Sequence, residues 1–105
     1  MMLKVLFAST LLTLGMTGMA QAAGDAAAGA GKSAVCTACH GADGIGLVPI
    51  YPNLKGQQVA YLESSLKAYR EGQRTGGNAA IMTPMAKNLS DEDIADLAAY
   101  YGAMK

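Results

Sequence analysis

Two thiols and an imidazole stand within five consecutive positions, Cys36-Thr37-Ala38-Cys39-His40, and they are the only cysteines and the only histidine of the chain. Several chemistries use such a set. A structural disulfide or a buried thiol pair would restrict the unfolded chain little across so short a ring, and it would leave His40 without a role. A redox dithiol of the C-x-x-C kind belongs with alternating strands and helices. Zinc asks for a closed set of four ligands. Here there are three, and the neighbours Cys39 and His40 are poorly placed to face one tetrahedral ion.

The remaining chemistry is covalent attachment of haem, for which C-x-x-C-H is the expected pattern. Each thiol adds across one vinyl group of the porphyrin. Residues three apart on a helical turn lie about 5–6 Å apart on one side, which suits the reach to both vinyls. The residue after the second cysteine is then carried under the ring, where an imidazole nitrogen can bind iron. This reading uses all three side chains and implies one covalent haem c held by Cys36, Cys39 and His40. With a single histidine, the other face of the iron is left to Met82, Met85, Met104, a lysine amine or no ligand at all. Met104 stands near the end of a helical pattern and reads as core filler. Met82 and Met85 both fall in a loop ahead of the last helix, and the residues themselves do not separate them.

The elements that must position these groups are helical. "GDAAAGAGKSAVCTACHG" opens on Asp25, a natural N-cap, and runs through alanines, with Gly29 and Gly31 marking a close approach by another element. "GADGIGLVPIYPNLKG" holds four glycines and two prolines in 16 residues and reads as an ordered loop. Val59, Leu62, Leu66 and Tyr69 form one apolar face of a helix from Gln57 to about Glu71, with Gly72 as its stop. "GQRTGGNAAIMTPMAKN" is a second loop. Ser90 with Asp93 resembles a capping box, and Asp91, Glu92 and Asp93 suit the positive end of a helix dipole. Ile94, Leu97, Ala98 and Tyr101 then make a buried stripe. No period-two segment appears. The expected class is all-α, three main helices and two long loops wrapped around one haem; long loops in a small domain are uncommon unless they wrap something.

The chain's front end reads differently. "MMLKVLFASTLLTLGMTGMAQAAGD" has Lys4, an apolar run from Val5 and the small-residue triplet Ala20-Gln21-Ala22, the three-part layout of a secretory signal peptide. Residues 1–22 are therefore expected to be removed, leaving a domain over 23–105. A membrane anchor is the weaker reading, because Thr10, Thr13 and Thr17 interrupt a run shorter than the roughly 20 residues a spanning helix needs. Without Lys4 the domain carries seven cations against eight acids. There is no basic stripe, which argues against nucleic acid as a partner. A domain of this size buries only about 60% of its unfolded surface and is marginal without added apolar mass.

The segments "CTACHGADG", "YPNLKGQ", "YLESSLKAYREGQR" and "IMTPMAKNLSDEDIADLAAYY" run in order through nearly the whole domain. Together they resemble the class I c-type cytochromes, in particular the short bacterial monohaem kind that also occurs as tandem domains in dihaem relatives. The resemblance implies the cytochrome c fold, with N- and C-terminal helices crossing at Gly29 and the Tyr100-Tyr101 pair. It implies Met82, seven residues before Leu89, as the second axial iron ligand, with Met85 as the second choice. It also implies the Pro52 carbonyl, twelve residues after His40, as acceptor for the other imidazole N–H. Arg74 and Tyr61 stand as candidates for the haem propionates or for plain solvent-facing roles. The function implied is that of a periplasmic one-electron carrier, not an enzyme, meeting donor and acceptor redox proteins transiently and not inserted in the membrane after cleavage. The rival readings are a small haem peroxidase or gas sensor with a labile sixth ligand, and a cytochrome subunit tethered in an oxidase or dehydrogenase complex.

Overall fold

The computed structural model describes residues 24–105, so the expected signal peptide over 1–22 lies outside the described residues. Five helices follow in order: α1 (Ala26–Lys32), α2 (Ala34–His40), α3 (Val59–Arg70), α4 (Ala79–Ala86) and α5 (Asp91–Gly102). No strand occurs among the described residues. The all-α class holds, with two local differences from the three-helix expectation.

The first lies at Ser33, where the N-terminal helical stretch divides into α1 and α2. The Ser33 hydroxyl donates to the Ala30 carbonyl at 2.8 Å, and Thr37 Oγ1 donates to the Ser33 carbonyl at 3.1 Å. Such side-chain bonds compete with the helix ladder and tilt one turn away from the next. The second is α4, which occupies part of the expected second loop. Gly76-Gly77 and Pro84 read as breakers, yet Ala79 and Ala86 are buried where α4 packs on α3. Pro84 sits inside the helix, one residue after Thr83, whose hydroxyl donates to the Ala79 carbonyl at 3.1 Å. Packing here outweighs local propensity.

Gly31, expected with Gly29 at a close approach, has open space beside it, whereas the expected helix ends are met. Asp25 caps α1, its carboxylate accepting from the Ala27 N–H at 2.9 Å and the Ala28 N–H at 3.4 Å. Ser90 and Asp93 form a reciprocal capping box on α5, both bonds 3.0 Å long. Helix α3 ends at Gly72 (φ +70°), where the Gln73 N–H reaches the Ala68 carbonyl at 2.8 Å and the Gly72 N–H reaches the Tyr69 carbonyl at 3.2 Å. These are the two bonds of a Schellman motif, which needs a left-handed residue at that point.

Helices α1 and α5 cross in contact. Gly29 is buried at the crossing, where a Cβ would collide with the Asp96 carbonyl and come within 2.7 Å of Tyr100 Cβ. The crossing is also clasped electrostatically: Lys32 Nζ lies 2.9 Å from Asp93 and 2.7 Å from Asp96, while the Asp25 N–H donates to Asp96 at 2.8 Å. Asp96 is thus a buried carboxylate with every partner it needs. The apolar stripe of α5, Ile94, Leu97, Ala98 and Tyr101, is buried as expected, the last three clustering with Leu62 of α3. Val59, expected on the inner face of α3, is 38% exposed.

Candidate functional site

One end of α2 carries the pentapeptide, and the loop over 41–58 folds back beneath it. The Leu47 N–H donates to the Cys39 carbonyl at 3.1 Å, the Leu54 N–H to the Gly44 carbonyl at 2.7 Å, and the Gly56 N–H to the Tyr101 carbonyl at 3.0 Å. This folding delivers the Pro52 carbonyl to within 2.8 Å of His40 Nδ1. A carbonyl only accepts, so Nδ1 is the donor here and Nε2 is the nitrogen left for a ligand. His40 is buried, 5% exposed.

The pentapeptide, the folded loop and the inner faces of α3, α4 and α5 enclose one cavity of about 450 Å³, whose wall includes Cys36, Cys39, His40, Met82, Leu97 and Tyr101. The volume lies in the ordinary range for a single cofactor. Both sulfurs are unpaired and half-buried on this wall. Burial pushes the Cys36 thiol above its ordinary range, the wrong direction for a redox dithiol, whose attacking sulfur has to be a thiolate. Among the described residues no three of His, Cys, Asp and Glu gather as a metal-holding group, so the donor set is not that of a closed zinc site.

The candidate methionines fall in different places. Met82 is half-buried on the cavity wall; Met85, one helical turn on, also reaches the wall but is 44% exposed. Both belong to α4, not to a loop. Met104 packs against the core cluster and lies off the cavity wall. One feature was not anticipated from the residues. Tyr101 is 3% exposed, and its hydroxyl has no hydrogen-bond partner among the described residues. Burial pushes the phenol well above its usual range, so it stays protonated. The Cys36 thiol and the Ser33 hydroxyl are the polar groups beside it, so small shifts of either decide whether this buried hydroxyl is satisfied. A Tyr in a stripe where Phe would pack equally well was the only sequence sign of it.

The donor set fits haem: two sulfurs three residues apart, an imidazole with Nδ1 already engaged, and a thioether, all lining one largely apolar cavity. Comparison with known proteins agrees. The Cytochrome c family profile matches residues 22–104. The chain is 71% identical over 83 residues to cytochrome c-554(548) of Halomonas halodenitrificans, covering 79% of this chain and 100% of that one. It is 52% identical over 100 residues to cytochrome c4 of Pseudomonas aeruginosa, covering 95% of this chain and 48% of the relative, so it spans about half of that protein. The crystal structure of reduced recombinant cytochrome c4 from Pseudomonas stutzeri superposes with a TM-score of 0.69 at 44% identity, over 79% of this chain and 47% of that one. Built on a C-x-x-C-H helix end, a buried imidazole and a cavity sized for one cofactor, the chain belongs to the cytochrome c family and carries a covalently bound haem c.

Proposed function

We propose that the protein is an exported, soluble one-electron carrier of the bacterial periplasm, with Cys36 and Cys39 as the thioether anchors and His40 and Met82 as the axial ligands of the iron. One observation carries the reading. His40 spends its Nδ1–H on the Pro52 carbonyl at 2.8 Å, so the ring offers only Nε2, into a cavity whose wall also holds Met82.

When bound, haem supplies a one-electron ferric/ferrous couple. The chain's own residues set how that couple behaves. The Pro52 carbonyl fixes the plane and basicity of the imidazole. The Met82 thioether raises the reduction potential as the partner of an imidazole. Two protein ligands leave no coordination position for oxygen or peroxide. Leu62, Leu66 and Leu97 give the cavity hydrocarbon lining. The wall contains no carboxylate to act as a general base on peroxide. This favours the carrier over a peroxidase or gas sensor.

Export rests on the tripartite layout of residues 1–22. It is supported by the alignment that spans the whole of the Halomonas cytochrome over 83 residues, the length of the 23–105 domain. Among the described residues no helix is long and apolar enough to cross a membrane. Donor and acceptor proteins would dock transiently through a small patch, as is usual for redox encounters. Visible spectra of the purified exported protein test the proposal. We expect six-coordinate, low-spin iron in both oxidation states and no carbon monoxide binding by the reduced protein at neutral pH. Immediate, tight binding would favour the peroxidase or sensor reading instead.

A further inference from the structure

We propose that Tyr101 is a positioning residue of the haem anchor, its hydroxyl donating a hydrogen bond to the sulfur of Cys36. The inference rests on the haem-carrying reading above and adds to it a residue that reaches the anchor from another helix.

Tyr101 stands in the last turn of α5, 3% exposed. Among the described residues its hydroxyl is the one buried side-chain polar atom without a hydrogen-bond partner. The ring meets Tyr100 edge-on, with centroids 5.0 Å apart, and clusters with Leu62, Leu97 and Ala98. A ring so enclosed cannot swing its hydroxyl out to water. Phe would fill the same space with no polar atom to satisfy, so the hydroxyl has to find its partner inside. Cys36 packs against this same cluster, and both residues line the cavity.

Two polar groups lie beside the hydroxyl, the Cys36 sulfur and the Ser33 hydroxyl. Ser33 is already committed: its hydrogen goes to the Ala30 carbonyl at 2.8 Å, so it has none left for Tyr101. Cys36 is the complementary partner. As a haem thioether its sulfur carries no hydrogen and can only accept. The phenol beside it keeps its proton, because burial pushes it well above its usual range. Donor and acceptor therefore match once the anchor is made, and the bond ties α2 to α5 at the sulfur itself.

The bond bears on the redox couple. A donor on the sulfur draws electron density from the porphyrin edge and disfavours the ferric state, which carries the extra positive charge. The reduction potential rises accordingly.

The test uses the matured, haem-loaded protein and the variants Y101F and S33A. In the ferrous, diamagnetic parent we expect proton NMR to show a hydroxyl signal protected from exchange. That signal should have Overhauser contacts to the Tyr101 ring and the Cys36 β-protons, and it should be absent from Y101F. The reduction potential should fall in Y101F and stay near the parent's in S33A. An unmoved potential in a red, low-spin Y101F overturns the assignment, since a ring that only packs is replaced by Phe without effect. An equal fall in S33A, or an Overhauser contact to Ser33 alone, gives the bond to Ser33 and overturns it too. Should Y101F fail to mature, the NMR of the parent decides the matter alone: a red, low-spin protein without the protected signal sinks the assignment and leaves the haem reading standing. A colourless parent would sink both.

Discussion

At the scale of single residues, the decisive choice is between two methionines one helical turn apart. Met82 is half-buried on the cavity wall, whereas Met85 is 44% exposed, and water competes for an exposed thioether's place. Replacing Met82 by Ala should open the iron: the reduced variant is expected to bind carbon monoxide at neutral pH, and its reduction potential to fall. Replacing Met85 by Ala should leave both properties near those of the parent. Carbon monoxide difference spectra check the pair, and the reverse pattern would transfer the ligand role to Met85. Tyr101 belongs to the same scale. Its unpaired hydroxyl in the cavity wall distinguishes it from a Phe, although the two side chains would pack alike.

At the scale of elements, the crossing of α1 and α5 holds the frame that carries α2 and its pentapeptide. Gly29→Ala drives a methyl into the Asp96 carbonyl, and neither backbone can retreat without breaking its helix. The expected loss is about 2–3 kcal/mol, or on the order of 10 °C in Tm, measured by thermal unfolding of the haem-loaded protein. The Lys32 clasp predicts a pH dependence of definite sign. The Lys32 ammonium, and for Asp96 also the Asp25 N–H, hold the Asp93 and Asp96 carboxyls below the usual carboxylate range. A carboxyl whose folded pKa is depressed stabilises the fold fully above its unfolded value, about 3.9, and that stability is lost as pH falls through the folded value. Helix content followed from pH 7 to pH 2 should therefore fall over the acid limb below about pH 4. In D96N the protein should start from a lower Tm at neutral pH and lose less on acidification. Equal acid losses in the two proteins would mean that the clasp is not what titrates.

At the scale of the whole molecule, the cavity is large against the core that surrounds it. A domain of this length buries only about 60% of its unfolded surface, so little side-chain core is left around such a cavity. Among the described residues only Ile94 and Leu97 are large side chains that are fully buried. The haem is thus part of the hydrophobic core and not an addition to it. A C36A/C39A double variant, denied its covalent anchor, should show low helicity by far-UV circular dichroism at 25 °C; native-like helicity without pigment would contradict this. The domain's near balance of seven cations and eight acids also predicts an electron-transfer rate with a redox partner that varies only modestly with ionic strength. A steep dependence in stopped-flow measurements would point to a charged docking patch instead.

The sequence by itself determined the prosthetic chemistry, because C-x-x-C-H confines three ligating side chains to one helical turn and the spacing alone fits them to one group. It determined the helix ends as well: Asp25, Gly72 and the Ser90–Asp93 box act through bonds to backbone only a few residues away, so local reading found them. Tertiary structure alone decided what depends on neighbours distant in the chain. Helix α4 exists despite Pro84 because α3 lies against it, and Val59 meets Gly102 of α5 yet stays 38% exposed. The Pro52 carbonyl meets His40 only because the loop between them folds back, and Lys32 finds Asp93 and Asp96 only because α1 crosses α5. Local hydrogen bonding is written in short spacings; burial and charge pairing are properties of the assembled surface, which no short spacing encodes.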